Sequence, residues 1–250
     1  MSSAQLSRVN LLEQDPDLGR ELDAARAQAA NRRLTAPVLE LPRGPWAPES
    51  AVDQDGEPVF GILVLEGLMV REATVGEHPC AELIGPGDLV RPGDGADADE
   101  LLGRTVEWAV LTPTRVALLG PGLIGAAAPW PEVLVALLDR AARRADRLIV
   151  LQAITHLTRV DDRLLALLWF LAERWGRVVP EGVSVGLCLP HRTLAGMVGA
   201  RRPSVTTALG QLIARGDLDR RVDGSFVLPG TPPDHGHRRD DGYGPRPRQA

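Results

Sequence analysis

Guanidinium and small hydroxyl side chains are concentrated between residues 201 and 221. An arginine can donate two parallel hydrogen bonds to an oxyanion or to the O6 and N7 atoms of guanine. Serine and threonine are short enough to touch a base edge, a thymine methyl group or a phosphate. This chemistry predicts a nucleic-acid interface. The predicted base-reading residues are Arg202, Ser204, Thr206 and Thr207, and the predicted phosphate-binding residues are Arg201, Gln211 and Arg221.

The apolar residues around this cluster have the spacing of two helices that cross at a steep angle. Leu194, Met197 and Val198 would form the inner face of a first helix, and Gly199 falls where the turn needs a residue that tolerates positive φ. A second helix would begin near Arg202, because Pro203 is acceptable in a first turn. Its polar cluster would then point outward.

A hairpin is predicted after the second helix. Leu218–Val222 and 225–228 read as two strands, and Asp223-Gly224 between them favours a type I′ turn. Helix, turn, helix and hairpin in this order indicate a winged helix.

The charge of the chain is divided between its two halves. The chain contains no lysine, so every basic side chain is arginine. Residues 1–130 carry 10 Arg against 20 acidic residues, whereas residues 131–250 carry 18 Arg against 13. This asymmetry indicates two modules, of which the C-terminal one faces a polyanion. A GC-rich genome would explain arginine in place of lysine, but not the asymmetry.

Short apolar runs that alternate with Gly, Pro and Asp clusters between residues 38 and 119 predict a β-sandwich or barrel. Tight turns are expected at Glu66-Gly67 and at Gly85–Asp88, and an exposed acidic loop at 92–100. The predicted strands are Val38–Leu41, Val59–Leu65, Leu68–Val75, Ala81–Ile84, Asp88–Val90, Thr105–Leu111 and Arg115–Leu119.

A long helix is predicted from Trp130 to about Leu157, with a heptad seam along one face. It could pack on its own β domain or pair with its twin in a dimer. A second apolar face, which includes Leu137 and 149–151, favours a helix that does both. The predicted dimer-interface residues are Leu134, Leu138, Ala141, Ala145, Leu148, Gln152 and Thr155.

The remaining segments carry simpler expectations. Two short helices, broken at Asp15-Pro16, are predicted within residues 5–34. A helix at Arg163–Trp175, capped by Asp161 or Asp162, should lead into an extended link at Val183–Leu189. The tail at 231–250 has almost no apolar content and should be disordered.

These features together resemble the CRP/FNR superfamily of bacterial transcription regulators. The runs LLALLWFLAERWG and LAGMVGARRPSVTTALGQL resemble its DNA-binding domain, and FGILVLEGLMV with LIGPGDLV resembles its N-terminal β-roll. The amino-acid sequences of the DNA-binding runs are similar to those of the actinobacterial branch of the superfamily. The resemblance implies an α+β fold with a cyclic-nucleotide-binding-like jelly roll, a long dimerisation helix and a C-terminal winged helix-turn-helix. The implied domains are a helical extension at 1–37, the β-roll at 38–128, the helix at 129–157, the DNA-binding domain at 158–230 and the tail.

The resemblance also implies partners: double-stranded DNA with a palindromic promoter site, a second copy of the chain as homodimer, and RNA polymerase. Cyclic-nucleotide-responsive members carry a Gly-Glu pair after the Gly-Asp turn, but here the run Gly87-Asp88-Leu89-Val90 leads into Arg91-Pro92. Arg104-Thr105 matches the remaining Arg-hydroxyl pair of an effector pocket. The sequence therefore does not identify the effector of the β-roll domain, and cyclic AMP is not expected to be that effector. The alternative is a regulator gated by a cyclic nucleotide or another small ligand in the β-roll pocket. Pro190 stands where the family often has a hydroxyl cap, which His191 could partly replace.

Other function classes find little support in the sequence. A cupin-type metalloenzyme needs a His-x-His motif inside the barrel, but His235 and His237 lie in the tail. Cys80 and Cys188 are far apart and have no metal-ligand spacing, so neither a metal site nor a disulfide scaffold is predicted. No Ser or Cys nucleophile has a plausible His partner in a known spacing, so no catalytic residue is predicted. A regulator that has lost DNA binding is opposed by the exposed positions of Arg202, Ser204 and Thr207. The absence of a long apolar run predicts no membrane partner and a cytoplasmic protein.

Overall fold

The computed structural model describes residues 7–48, 51, 59–91 and 102–232. The acidic loop predicted at 92–100 and the disordered tail, from residue 233 onward, lie outside the described residues. The helices are α1 (Leu11–Gln14), α2 (Ala24–Arg33), α3 (Pro121–Ala127), α4 (Pro131–Thr155), α5 (Val160–Trp175), α6 (His191–Val198) and α7 (Arg202–Arg215), with a 3₁₀ turn at Pro16–Gly19.

An antiparallel sheet forms the N-terminal body, as the α+β fold class predicts. Its strand order is β1-β2-β7-β4-β5, with β3 paired to β7 and β6 paired to β4. Alternate side chains of the long strands fill a core that includes Ile62, Met69, Trp108 and Val116. The strands are β1 (Ser7–Asn10), β2 (Thr35–Leu41), β3 (Gly44–Trp46), β4 (Gly61–Val75), β5 (His78–Ile84), β6 (Leu89–Val90) and β7 (Arg104–Leu119).

The turn predicted at Glu66-Gly67 is wrong, because β4 runs through these residues as one strand. Gly67 has φ +91°, and the register against β7 shifts on either side of it. A Cβ atom on Gly67 would lie 2.5 Å from the Pro113 carbonyl oxygen. The glycine therefore forms a β-bulge, which bends the strand without ending it.

The N-terminal extension is not purely helical, since Ser7–Asn10 pairs with β2 as an edge strand. The break predicted at Asp15-Pro16 is confirmed, because α1 ends at Gln14 and the 3₁₀ turn begins at Pro16. Asp15 accepts two hydrogen bonds from Arg140 of α4, at 2.7 and 2.9 Å. The extension thus packs against the long helix.

Helix α4 lies along the sheet and contacts it with one face only. Val133, Leu137, Leu151 and Ile154 are buried. Between these apolar ends the contact is ionic: Arg144 donates to both oxygens of Glu82 on β5, and Arg147 pairs with Asp88 in the β5–β6 turn. The opposite face of α4 is exposed.

The C-terminal body is a winged helix with a four-stranded sheet. Its strand order is β10-β11-β9-β8, where β8 is Gly176–Val179, β9 is Gly182–Val185, β10 is Asp219–Arg220 and β11 is Phe226–Leu228. The link predicted at Val183–Leu189 is wrong in its first half, because β9 pairs with both β8 and β11. The predicted cap is also wrong: α5 begins at Val160, so Asp161 and Asp162 lie in its first turn.

The two bodies share one apolar core. Leu68, Val70, Ala81 and Leu83 of the N-terminal sheet pack in the same cluster as Leu194 and Met197 of α6. Cys80 on β5 and Cys188 before α6 are unpaired thiols. Within the described residues, none of the helices combines the length and apolar character needed to span a bilayer.

Candidate nucleic-acid interface

The predicted helix-turn-helix is formed by α6 and α7. Gly199 follows α6 with φ +60°, in the left-handed region where glycine is favoured. The Ala200 N–H then donates to the Ala195 carbonyl at 3.0 Å. Arg163 of α5 donates to the Val198 carbonyl at 3.2 Å and to the Gly199 carbonyl at 3.3 Å. The sequence did not identify Arg163 as a functional residue, but its hydrogen bonds connect the turn to α5.

Helix α7 buries one face and exposes the other. Val205, Ala208, Leu209 and Leu212 are buried, as the spacing predicts. The seven predicted DNA-contacting positions are all exposed, namely Arg201, Arg202, Ser204, Thr206, Thr207, Gln211 and Arg221. Arg201 is the N-cap and Pro203 lies in the first turn. The helix N-terminus presents backbone N–H groups that have no partner within the helix, which favours an anion there.

His191 is a second residue that sequence reasoning did not place correctly. It does not cap α6, whose N-cap is Pro190 with no side-chain hydrogen bond. Instead its Nδ1 atom lies 2.9 Å from the Thr206 hydroxyl, across the two helices. Burial lowers the pKa of His191, and the nearby charges of Arg220 and Arg202 lower it further, which favours the neutral ring. The Thr206 hydroxyl therefore contacts both His191 and the Arg202 carbonyl, to which it donates at 3.2 Å.

Ser204, Thr207 and Gln211 line a shallow groove whose far wall is the start of α5. Arg159 lies in that wall and is exposed. Its guanidinium pairs with buried Asp161, which also accepts a 2.6 Å hydrogen bond from Arg215 at the end of α7. These hydrogen bonds hold the pKa of Asp161 well below its ordinary value. Arg159 is therefore a basic residue beside the predicted base-reading positions.

The wing hairpin has a different turn from the predicted one. The Arg221 N–H donates to the Ser225 carbonyl, and the Gly224 N–H donates to the Arg221 carbonyl. Gly224 has φ +85°, but Asp223 has a negative φ, and a type I′ turn requires positive φ at both central residues. Asp223 instead accepts hydrogen bonds from the N–H and hydroxyl of Ser225. Arg221 projects beside this turn and lies 3.4 Å from Glu181.

The predicted effector residues lie at an exposed end of the N-terminal sheet. Arg104 and Thr105 pair with Val75 and Thr74 of β4, and both are exposed. Residues 92–101, which adjoin them, are outside the described part of the chain. In the segments that the structure describes, no three His, Cys, Asp or Glu side chains converge as metal ligands.

The predicted dimer residues fall on two parts of α4. Leu138, Ala145, Leu148 and Gln152 are exposed, whereas Leu134, Ala141 and Thr155 are partly buried against their own protomer. The exposed face also contains apolar residues outside the predicted seam, and it follows heptad spacing. This exposed stripe consists of Val135, Leu138, Ala142, Ala145, Ile149 and Gln152.

The comparisons with known proteins agree with this geometry. Residues 162–229 match the family model of the Crp-like helix-turn-helix domain. The regulatory protein CysR of Synechococcus elongatus is 32% identical over 161 residues, which cover 61% of this chain and 69% of CysR. The match therefore extends beyond the helix-turn-helix itself.

Solved structures with the same fold cover most of the chain. A CooA variant from Carboxydothermus hydrogenoformans superposes with a TM-score of 0.61 at 16% identity, and covers 90% of this chain and 93% of its own. The c-di-GMP-responsive regulator CLP of Xanthomonas campestris gives a TM-score of 0.56 at 20% identity, with 84% of this chain and 100% of CLP covered. At such identities the likeness concerns the fold alone.

Proposed function

The chain belongs to the CRP/FNR superfamily of transcription regulators, and from this premise we propose that it acts as a homodimer on a two-fold symmetric promoter site. The family membership makes it a DNA-binding regulator and not an enzyme. The observation that carries the proposal is the exposed polar face of α7, which is backed by a buried α6. A rigid helix with arginine and hydroxyl side chains near its N-terminus fits the major groove.

The surrounding residues support the same assignment of roles. Arg202 lies in the first turn of α7, where a forked donor can reach a guanine. Arg201 in the turn, Arg221 in the wing and Arg159 at the start of α5 flank the helix and would contact phosphates. DNA bound in this way would be held from three sides.

The exposed stripe of α4 supports the dimer. Val135 is 56% exposed, Leu138 68% and Ile149 65%, and they share one helix face with Ala142 and Ala145. Pairing two such helices would bury these side chains as a coiled coil. A two-fold protein would place its two α7 helices in successive major grooves, about 34 Å apart.

The proposed regulator does not require cyclic AMP. Arg104-Thr105 is present, but the Gly-Glu pair of cyclic-nucleotide-responsive members is absent from the sequence. Calorimetry with cyclic AMP should show no micromolar binding, and operator affinity should not change in its presence. Micromolar binding together with tighter operator binding would contradict this part of the proposal.

The DNA-binding proposal is tested by selecting sites from random duplexes with the full-length protein. Enrichment of an inverted repeat with half-sites about one helical turn apart is the expected result. Gel-shift titration of the selected site should then show one dimer per duplex. Enrichment of a single, unrepeated half-site would contradict the proposed homodimer, and enrichment of no sequence at all would contradict sequence-specific DNA binding.

A further inference from the structure

A groove lined by arginines lies where three parts of the molecule meet. Its walls are the β5–β6 turn, the middle of α4 and the last turn of α5. We call it the arginine groove, and its lining residues include Gly87, Asp88, Arg140, Arg143, Arg147, Arg174 and Trp175. The groove is separate from the exposed face of α7 and from Arg104-Thr105.

Positive charge exceeds negative charge in this groove. Its lining contains four arginines against the carboxylates of Asp88 and Glu173. Arg140 is neutralised from outside the lining by Asp15 at 2.7 Å, with Asp17 at 3.6 Å. No ion pair joins Arg143 to any other described residue, and its side chain is exposed. The groove therefore has a cationic side chain available to an anion from solution.

Arg147 and Arg174 share one carboxylate, that of Asp88, so one negative charge faces two positive charges. This buried carboxylate is shared by Arg147 and Arg174, and it also accepts a hydrogen bond from the Gly85 N–H. Arg174 donates a further hydrogen bond to the Pro86 carbonyl, at 2.6 Å. Each guanidinium has five N–H donors, so both arginines retain donors beyond these contacts.

The electrostatics and the shape of the groove favour an anion there. Burial lowers the pKa of Arg147, and the neighbouring charges of Arg174 and Arg144 lower it further against the opposite effect of Asp88. The guanidinium of Arg174 stacks on Trp175, 4.6 Å from the ring centroid, which holds it in place. Gly87, with φ +81°, brings the backbone of the turn close to Arg140 without a side chain between them.

We propose that the arginine groove binds a compact oxyanion, a phosphate or sulfate group, through Arg143, Arg147 and Arg174. Forked guanidinium donors from α4 and α5 match the oxygen spacing of such a group. The bound group would join the long helix, the β-roll turn and the first helix of the C-terminal body. Binding requires neither DNA nor the dimer, so it is independent of the proposed function.

Calorimetry of the full-length protein tests the proposal, with inorganic phosphate and sulfate as separate probes in chloride buffer of constant ionic strength. We expect saturable binding of at least one probe, with one site per protomer. Arg143→Ala should weaken it about ten-fold or more, since a charge-assisted contact is lost. The affinity of Arg143→Lys should fall between those of the wild type and Arg143→Ala, because lysine keeps the positive charge but lacks the forked guanidinium donors. Arg33→Ala, an exposed arginine at the end of α2, is the control and should bind as the wild type does.

Which probe binds decides the chemistry of the site. Binding of phosphate alone indicates a ligand that is, or carries, a phosphate group, and binding of sulfate alone indicates one that is, or carries, a sulfate group. Equal binding of both supports a site for either group. The proposal is overturned if neither probe gives saturable heat, or if Arg143→Ala binds as tightly as the wild type.

Discussion

Arg202 and Arg221 lie on different parts of the winged helix and should affect DNA binding in different ways. Arg202 is proposed to read a base, so Arg202→Ala should cost about 1–3 kcal/mol and relax preference at one base pair per half-site. Arg221 is proposed to contact a phosphate, so Arg221→Ala should weaken binding to all DNA sequences alike. It should also reduce the slope of log affinity against log salt concentration by about one ion per subunit.

Site selection with each variant, and affinity measured against salt concentration, separate these two roles. Arg33→Ala is the control and should change neither quantity. If the Arg202→Ala protein keeps the wild-type base preference, Arg202 is another phosphate contact and does not read the sequence.

Asp161 should contribute stability through its pairs with Arg159 and Arg215. Asp161→Asn removes the charge but keeps the shape, and should lower the free energy of unfolding by about 1–2 kcal/mol at pH 7, because both arginines are partly exposed. The pKa of Asp161 is lowered in the folded state. Its contribution is therefore present above the unfolded pKa of about 3.9 and is lost as pH falls through the lower folded pKa.

Urea denaturation of both proteins between pH 3 and pH 7 checks this prediction. The difference between wild type and Asp161→Asn should shrink at the acid end. Asp162→Asn is a matched control on the neighbouring, more exposed residue and should have a smaller effect. A difference that does not depend on pH would show that the ion pairs of Asp161 contribute nothing.

At the scale of the elements, the exposed stripe of α4 is proposed to be the dimer contact. Leu138→Asp with Ile149→Asp should give a monomer, since four carboxylates would be buried at the paired helices at a cost of several kcal/mol. Both side chains are exposed within one protomer, so the fold should persist. Sedimentation velocity measures the mass, and circular dichroism measures the helix content.

The conservative pair Leu138→Met with Ile149→Val keeps the stripe apolar and should remain dimeric. A wild-type protein that sediments as a monomer would rule out the dimer. A dimeric Asp variant would instead place the contact on another surface, such as the partly buried Leu134 and Ala141.

The sequence predicted elements well where the signal is local and poorly where it depends on a distant partner. The inner face of α7 follows from Val205, Ala208 and Leu209 alone, because helical spacing is a local property. Glycine does not distinguish a turn from a bulge, and only pairing with β7 decides that Gly67 bends β4. The contact between His191 and Thr206 joins two helices, and no spacing rule predicts it.

At the scale of the whole molecule, α6 lies between α7 and the N-terminal sheet. Arg192 of α6 pairs with Glu72 of β4 at 2.7 Å, and an added Cβ on Gly196 would lie 2.9 Å from the Cβ of Ala81 on β5. Gly196→Ala should therefore force the two bodies apart locally and cost about 1–2 kcal/mol.

The matched control is Gly210→Ala in α7, where an added Cβ meets nothing within 4 Å. There the same substitution should raise the free energy of unfolding by about 0.5–1 kcal/mol, because alanine is the better helix former. Urea denaturation should thus give changes of opposite sign. Equal stabilisation by both substitutions would mean that α6 does not pack on β5 in solution.

The two thiols allow the distance between the N-terminal and C-terminal bodies to be measured. Cys80 lies on β5 beside α4 and α6, and the Cys188 thiol donates to the Asp223 carbonyl in the wing. Burial and the charge of Glu82 raise the pKa of Cys80, so its thiol reacts faster with a methanethiosulfonate spin label as the pH rises. With one native cysteine on each body, labelled chains diluted with an excess of unlabelled Cys-free chains would report the separation within one protomer by pulsed electron resonance, because dilution removes the distances between the two protomers of the proposed dimer. Spectra with and without operator DNA would then follow the movement of the wing relative to the sheet.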